Sequence, residues 1–177
     1  MKIIKNIAIG IISISALLLI IALFLPNEYI ITQRIIINRP QADVFNYVKI
    51  IDNQKKYSIW VMEDPNSKMT TTGTDGTVGF ISTWNSENKN VGKGEQEITK
   101  IIEGARSEVD LRFERPFKSE SKASTTCKAI DANKTEVINE FYGHSSYPMN
   151  LMTVFMKSML GDAMQKNLTN LKGQLEK

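Results

Sequence analysis

The chain has 177 residues and a formal net charge of +3, from 22 Lys and Arg against 19 Asp and Glu. Lys2 and Lys5 stand at the N-terminus, so the rest is close to neutral with acids and bases interspersed; phosphate binding needs a clustered basic surface, which argues against nucleic acid as a partner. One cysteine, Cys127, and one histidine, His144, exclude a disulfide framework and leave too few ligands for a zinc site, so no metal or other cofactor is expected.

Residues 1–6 form a short basic start. The apolar run that begins at Ile7 and ends at Leu25 carries no charge. A helix rising ~1.5 Å per residue needs roughly 20 residues to cross a hydrocarbon core about 30 Å thick, and this run has that length. A cleaved signal peptide would have a shorter apolar core of roughly 7–15 residues and a small-x-small site. Here the run leaves through Leu23-Phe24-Leu25-Pro26-Asn27-Glu28 instead, so an uncleaved transmembrane anchor is expected. Lys2 and Lys5 favour a cytoplasmic N-terminus, against Arg34 and Arg39 near the far end. The expected topology puts the domain on the extracytoplasmic side of a bacterial inner membrane.

A junction of only Pro26, Asn27 and Glu28 leads into one domain, 29–177, with no Pro-rich or Gly/Ser-rich linker and no internal repeat. Residues 29–37 are rich in β-branched side chains and read as a strand. Asn38-Arg39-Pro40 stops it and starts a helix over 41–48, whose Val44, Phe45 and Val48 share a face. A second short helix is expected over 52–57. Pro65, Gly73, Gly76 and Gly79 punctuate strands over 68–72 and 78–84. Those glycines lack the Gly-Lys-Ser/Thr ending of a phosphate loop and read as turns. Strands follow over 92–103, 107–113 and 118–130, and the polar turn 131–134 leads into a last strand over 135–143. Short connections imply an antiparallel meander.

The closing segment 151–175 reads as one helix, with Met152, Met156, Leu160, Met164, Leu168, Leu171 and Leu175 stepping by four or three residues. Its first half carries a single charge, Lys157. That apolar surface is wider than one stripe and needs more than a sheet to cover it.

The fold class is therefore α+β: a strand, two short helices, six antiparallel strands and a long C-terminal helix behind one transmembrane helix. Ile36-Ile37-Asn38-Arg39-Pro40-x-x-x-Val44-Phe45-x-Tyr47-Val48 resembles the entry from first strand to first helix in the START/Bet v 1-like (SRPBCC) superfamily, the helix-grip fold. Trp60, Gly76-x-x-Gly79, Gly92-Lys93-Gly94, Gly143 and Tyr147-Pro148-Met149-Asn150-Leu151-Met152 add to the likeness, which is nearest to bacterial polyketide cyclase/dehydrase-like lipid-transport proteins. The resemblance implies a curved sheet gripping the last helix, with an apolar cavity between them for a hydrophobic small molecule or lipid. It does not select a reaction.

Strand alternation and the helix stripe supply the expected cavity wall: Trp60, Phe80, Ser82, Trp84, Leu111, Phe113, Asn139 and Phe141, faced by Met152, Phe155, Met156 and Met159. Flexible, polarizable methionines suit irregular space around varied apolar ligands, and the same residues also suit a packed core. Asn139, between inward Val137 and Phe141, needs hydrogen bonds from protein, water or ligand. Ser119, Ser121, Ala123, Thr125 and Cys127 line one strand face with small side chains. His144 and Ser145 point to opposite faces of an extended chain and form no nucleophile–base pair. Glu95, Glu97, Glu120, Glu136 and Glu140 read as a solvated outer face. The leading function is a membrane-anchored, non-enzymatic binding protein. A cyclase/dehydratase-like enzyme using Asn139 is the alternative, and a protein- or membrane-docking module built on the start of the last helix is the third reading.

Overall fold

Helix α1 (Lys2–Phe24) leads the chain in the computed structural model, which describes residues 2–177; Met1, in the basic start, lies outside them. Its segment Ile3–Phe24 is long and apolar enough to cross a membrane and is almost wholly uncovered by the rest of the protein. Ala22 is the exception, buried against the domain.

Strand β1 (Glu28–Ile37) follows, then α2 (Gln41–Val48), a 3₁₀ turn (Ile51–Lys56) and α3 (Ile59–Glu63). The second short helix is thus a 3₁₀ turn, started by the Asp75 carboxylate, which accepts the Ile51 and Asp52 N–H groups at 2.9 Å each. Helix α3 has no apolar periodicity to announce it. It is held from outside, because its first N–H, on Ile59, donates to Asn167 Oδ1 at 2.8 Å.

Strands β2 (Lys68–Thr72), β3 (Ile81–Asn85), β4 (Lys93–Ile102), β5 (Arg106–Arg115), β6 (Ser119–Asp131) and β7 (Lys134–His144) complete a seven-stranded antiparallel sheet. Its order is β1-β7-β6-β5-β4-β3-β2, so the meander closes by laying β7 against β1. Strand β3 starts later than its sequence suggests, because Gly73, Gly76 and Gly79 all hold positive φ and turn the chain there. Phe80 is nevertheless fixed to β4, accepting the Ile98 N–H at 2.9 Å, and is buried with Ile98 and Ile51.

A second 3₁₀ turn (Met149–Met152) precedes α4 (Thr153–Leu175). Helix α4 packs along β1, and its Leu168 and Leu171 join Ile37, Val44, Phe45, Val48, Cys127 and Val137 in the main core. Asn38-Arg39-Pro40 does more than end a strand. The Arg39 guanidinium donates to the carbonyls of Leu175 and Lys177, at 2.6 and 3.1 Å, satisfying one acceptor in the last turn of α4 and one just past it. Thr135 Oγ1 donates in turn to the Arg39 carbonyl at 2.8 Å.

The expected stripe does not stay on one face. Four-residue steps overshoot the helical turn by ~40° each, so Met152 sits ~160° from Leu168, and Met159 sits ~180° from it. Met164, Leu168 and Leu171 are buried, whereas Met152, Phe155 and Met159 are 52%, 73% and 71% exposed.

Candidate functional site

Strand register lines up the concave face of the sheet row by row. At its open end Trp84 and Phe113 flank Gly94, and the two rings meet edge to face with centroids 5.8 Å apart. The indole N–H is satisfied by the Val91 carbonyl at 3.2 Å. The next row runs Ser82, Gln96, Leu111, Ser121. Ser82 and Gln96 are buried, and Gln96 exchanges amide hydrogen bonds with Gln54 at 3.1 and 3.4 Å. Behind it lie Ile98, Val109, Ala123, Phe141 and Ile31, and then a polar band of Ser107, Thr125, Asn139 and Gln33.

Helix α4 lies chiefly along the β1 side of this face. Tyr29 and Ile31 pack on Met164, with Phe141 and Leu160 beside them, and buried Gly161 lets the helix approach Gln33. Over β3 to β6 the residues Trp84, Leu111, Phe113, Ser121 and Thr125 are only half-buried. A filled core would bury them. The arrangement is an apolar trough crossed by a polar band, and within that band Asn139 Oδ1 is buried without a hydrogen-bond partner. Such an acceptor costs free energy until a donor reaches it.

Of the residues expected to form the wall, Phe80, Ser82, Trp84, Leu111, Phe113, Asn139 and Phe141 share the concave face, and Met156 is half-buried on α4. Trp60 lies on α3, 37% exposed. Met152, in the turn before α4, and Phe155 and Met159, on α4 about 140° and 180° around the helix from buried Leu168, are exposed on the outward side. Sequence reasoning missed the Gln54–Gln96 pair, although alternation through Gly94, Gln96 and Ile98 points Gln96 inward.

The convex face holds the ions. Arg112 bridges Glu95 and Glu97, at 2.5 and 2.6 Å. Arg106 pairs with Glu108 at 2.8 Å and Glu140 at 3.0 Å, and Glu140 also accepts from the Tyr142 hydroxyl at 2.8 Å and Ser124 at 3.1 Å. A cleft of about 210 Å³ opens beside this network, whose groups satisfy one another. The Tyr142 hydroxyl, with help from Arg106 and Ser124, holds the Glu140 carboxyl below its ordinary pKa against the opposing effect of burial. His144 is exposed at the end of β7 and pairs with Ser146 at 3.1 Å. Among the described residues no three His, Cys, Asp or Glu converge as metal ligands.

A family model described as polyketide cyclase / dehydrase and lipid transport matches residues 29–176. A search of curated proteins returns no match. Among solved structures, truncated norcoclaurine synthase from Thalictrum flavum is similar with a TM-score of 0.63 at 8% identity, over 82% of this chain and 91% of that one. The same enzyme in complex with dopamine and hydroxybenzaldehyde gives 0.62 at 8% identity, over 83% and 86%. The Aha1 dimer from Colwellia psychrerythraea gives 0.56 at 18% identity, over 84% and 96%. DynU16, a putative protein in the dynemicin biosynthetic locus, gives 0.59 at 12% identity over 83% of this chain, which spans 47% of that protein's length. At these identities the likeness is one of fold, a curved antiparallel sheet with a long C-terminal helix. The family match extends from the first strand to the end of the last helix, and the chain belongs to the polyketide cyclase / dehydrase and lipid transport family.

Proposed function

We propose that this protein is a membrane-tethered, non-enzymatic binding protein that holds a hydrophobic small molecule or lipid on the concave face of its sheet. In this reading α1 is an uncleaved anchor, and the domain 29–177 lies on the extracytoplasmic side of a bacterial inner membrane. The observation that carries the proposal is the trough itself: half-buried Trp84, Leu111, Phe113 and Phe141 around a polar band in which Asn139 Oδ1 lacks a partner. Apolar concavity with a few convergent polar groups is the usual form of a small-molecule site. The polar groups on this floor are amides and hydroxyls, which orient a ligand but hold no mobile proton near neutral pH. A family described by lipid transport, and a structural neighbour crystallised with two small aromatic molecules, support the same class of ligand.

The test is binding of a fluorescent fatty acid to the full chain in detergent, with native mass spectrometry of the purified protein. Saturable uptake that is lost in Ser121→Phe, where the new ring fills the trough, supports the proposal. Uptake unchanged by Ser121→Phe, or no uptake by protein shown to be ligand-free, refutes it.

A further inference from the structure

Asn150 is 1% exposed, and its side-chain amide donates to the backbone carbonyls of Ala22 at 2.8 Å and Leu25 at 3.0 Å, and to Asn27 Oδ1 at 3.2 Å. The Ala22 carbonyl, which also accepts the Leu25 N–H at 3.3 Å, is in the last turn of α1, and the Leu25 carbonyl lies just past it. The amide thus fastens the 3₁₀ turn Met149–Met152 to the end of α1. Beyond this clamp the turn lies alongside α1: Pro148, Met149, Leu151 and Met152 line a cleft of about 320 Å³ with Ser15, Leu18 and Leu19.

The position of that cleft sets a depth. Leu19 and Ser15 precede the helix end at Phe24 by five and nine residues, which is ~8 to ~14 Å along the axis. A hydrocarbon core is about 30 Å thick, so a span that ends near Phe24 places Leu19 and Ser15 within one leaflet. The turn packed beside them shares their depth. Its surroundings fit: Met149, Met152, Val154, Phe155 and Met159 are all more than half exposed. Phe155 and Met159 are one turn apart on one face of α4, with Met152 just before them. At Asn150 both backbone groups are paired, its N–H with the Ser146 carbonyl and its C=O with Thr153 Oγ1, as a low-dielectric surrounding favours, while its side-chain Oδ1 has no partner. Lys157, the one charge in this stretch, has the reach to extend its ammonium toward headgroups.

We propose that the 3₁₀ turn Met149–Met152 and the first turns of α4 are embedded in the same bilayer leaflet as the C-terminal end of α1, with lipid chains filling the cleft between them. The occupant is lipid rather than a second protein, because the exposed apolar side chains coincide with the depth that the packing against α1 dictates. The inference rests on α1 being a membrane span. It is independent of what the concave face binds.

The experiment is spin labelling of the full chain in phosphatidylcholine/phosphatidylglycerol liposomes, at Phe155→Cys and Met159→Cys, with Ile12→Cys as the reference for lipid and Lys166→Cys for water. Unsubstituted protein, whose Cys127 is buried, gives the background. Labels at 155 and 159 should collide with oxygen more often than with a water-soluble nickel chelate, as at 12 and in contrast to 166. Labels at 155 and 159 that favour the nickel chelate while 12 favours oxygen overturn this inference alone. Nickel access at 12 overturns the span as well. Spin–spin broadening between copies at 155 or 159 overturns lipid as the occupant.

Discussion

The ring of Trp84 lies over the Cα of Gly94, so close that a Cβ at position 94 would fall 2.6 Å from Trp84 Cζ2 and 2.6 Å from the Arg112 carbonyl. One of those neighbours is backbone and cannot swing away. Gly94→Ala should therefore lower stability by about 1–3 kcal/mol, the ordinary cost of overpacking. Denaturant unfolding measures it, and the tryptophan emission of the folded state should shift because Trp84 loses its place against Phe113.

Asn150 makes the clamp between the 3₁₀ turn and the end of α1. Asn150→Leu removes the donor, leaving the Leu25 carbonyl without it and the Ala22 carbonyl with only the Leu25 N–H at 3.3 Å, a loss of about 1–3 kcal/mol where such groups are buried. The sheet and α4 core do not depend on this contact. Hydrogen exchange should rise at residues 22–30, and distances between labels on α1 and α4 should broaden, while the core strands keep their protection.

Glu140 accepts from Tyr142, Arg106 and Ser124, and these donors favour its ionised form. Its carboxyl therefore binds a proton less readily folded than unfolded. The stabilisation is fully present above the ordinary value of 4.5 and is lost as the pH falls through the lower, folded value. Stability of the wild type should decline on acidification below pH 4.5, and Glu140→Gln should flatten that limb of the curve while lowering the neutral plateau.

Cys127 is buried in the main core, and burial pushes its thiol pKa up to about 12. A thiolate is the reactive form. At pH 8 the native protein should resist a disulfide-exchange reagent, and the reaction rate should rise with denaturant in step with unfolding. Fast labelling in the absence of denaturant would mean that the α2–sheet–α4 core opens readily.

The strand alternation was legible because one side of each strand meets a core and the other meets water. Val109, Leu111 and Phe113 face inward as their spacing requires, and Glu108, Asp110 and Arg112 face outward. The start of α4 was misread for a reason in the helix itself: steps of four are near a turn but not equal to one, and the error accumulates over four turns. Phe155 and Met159 are not on the expected stripe at all: they lie about 140° and 180° around the helix from Leu168 and point away from the sheet. Helix α3 escaped notice because Asn167, more than 100 residues away, supplies its capping acceptor. Asn150 had a visible signal that was not used, a lone amide within the apolar run Pro148-Met149-Asn150-Leu151-Met152.

The ion pairs of Arg106 and Arg112 sit on the convex side of the same strands whose concave side carries amides and hydroxyls. If the trough holds a guest as proposed, that guest would meet oriented dipoles within van der Waals reach, while the formal charges lie across the sheet, already neutralised by their partners. Ionic strength should then have little purchase on such a bound state: screening acts on exposed charges, and the trough floor offers none from Trp84 to Asn139. In the proposed reading, selection among guests would fall to their shape and to where their hydrogen-bond donors lie.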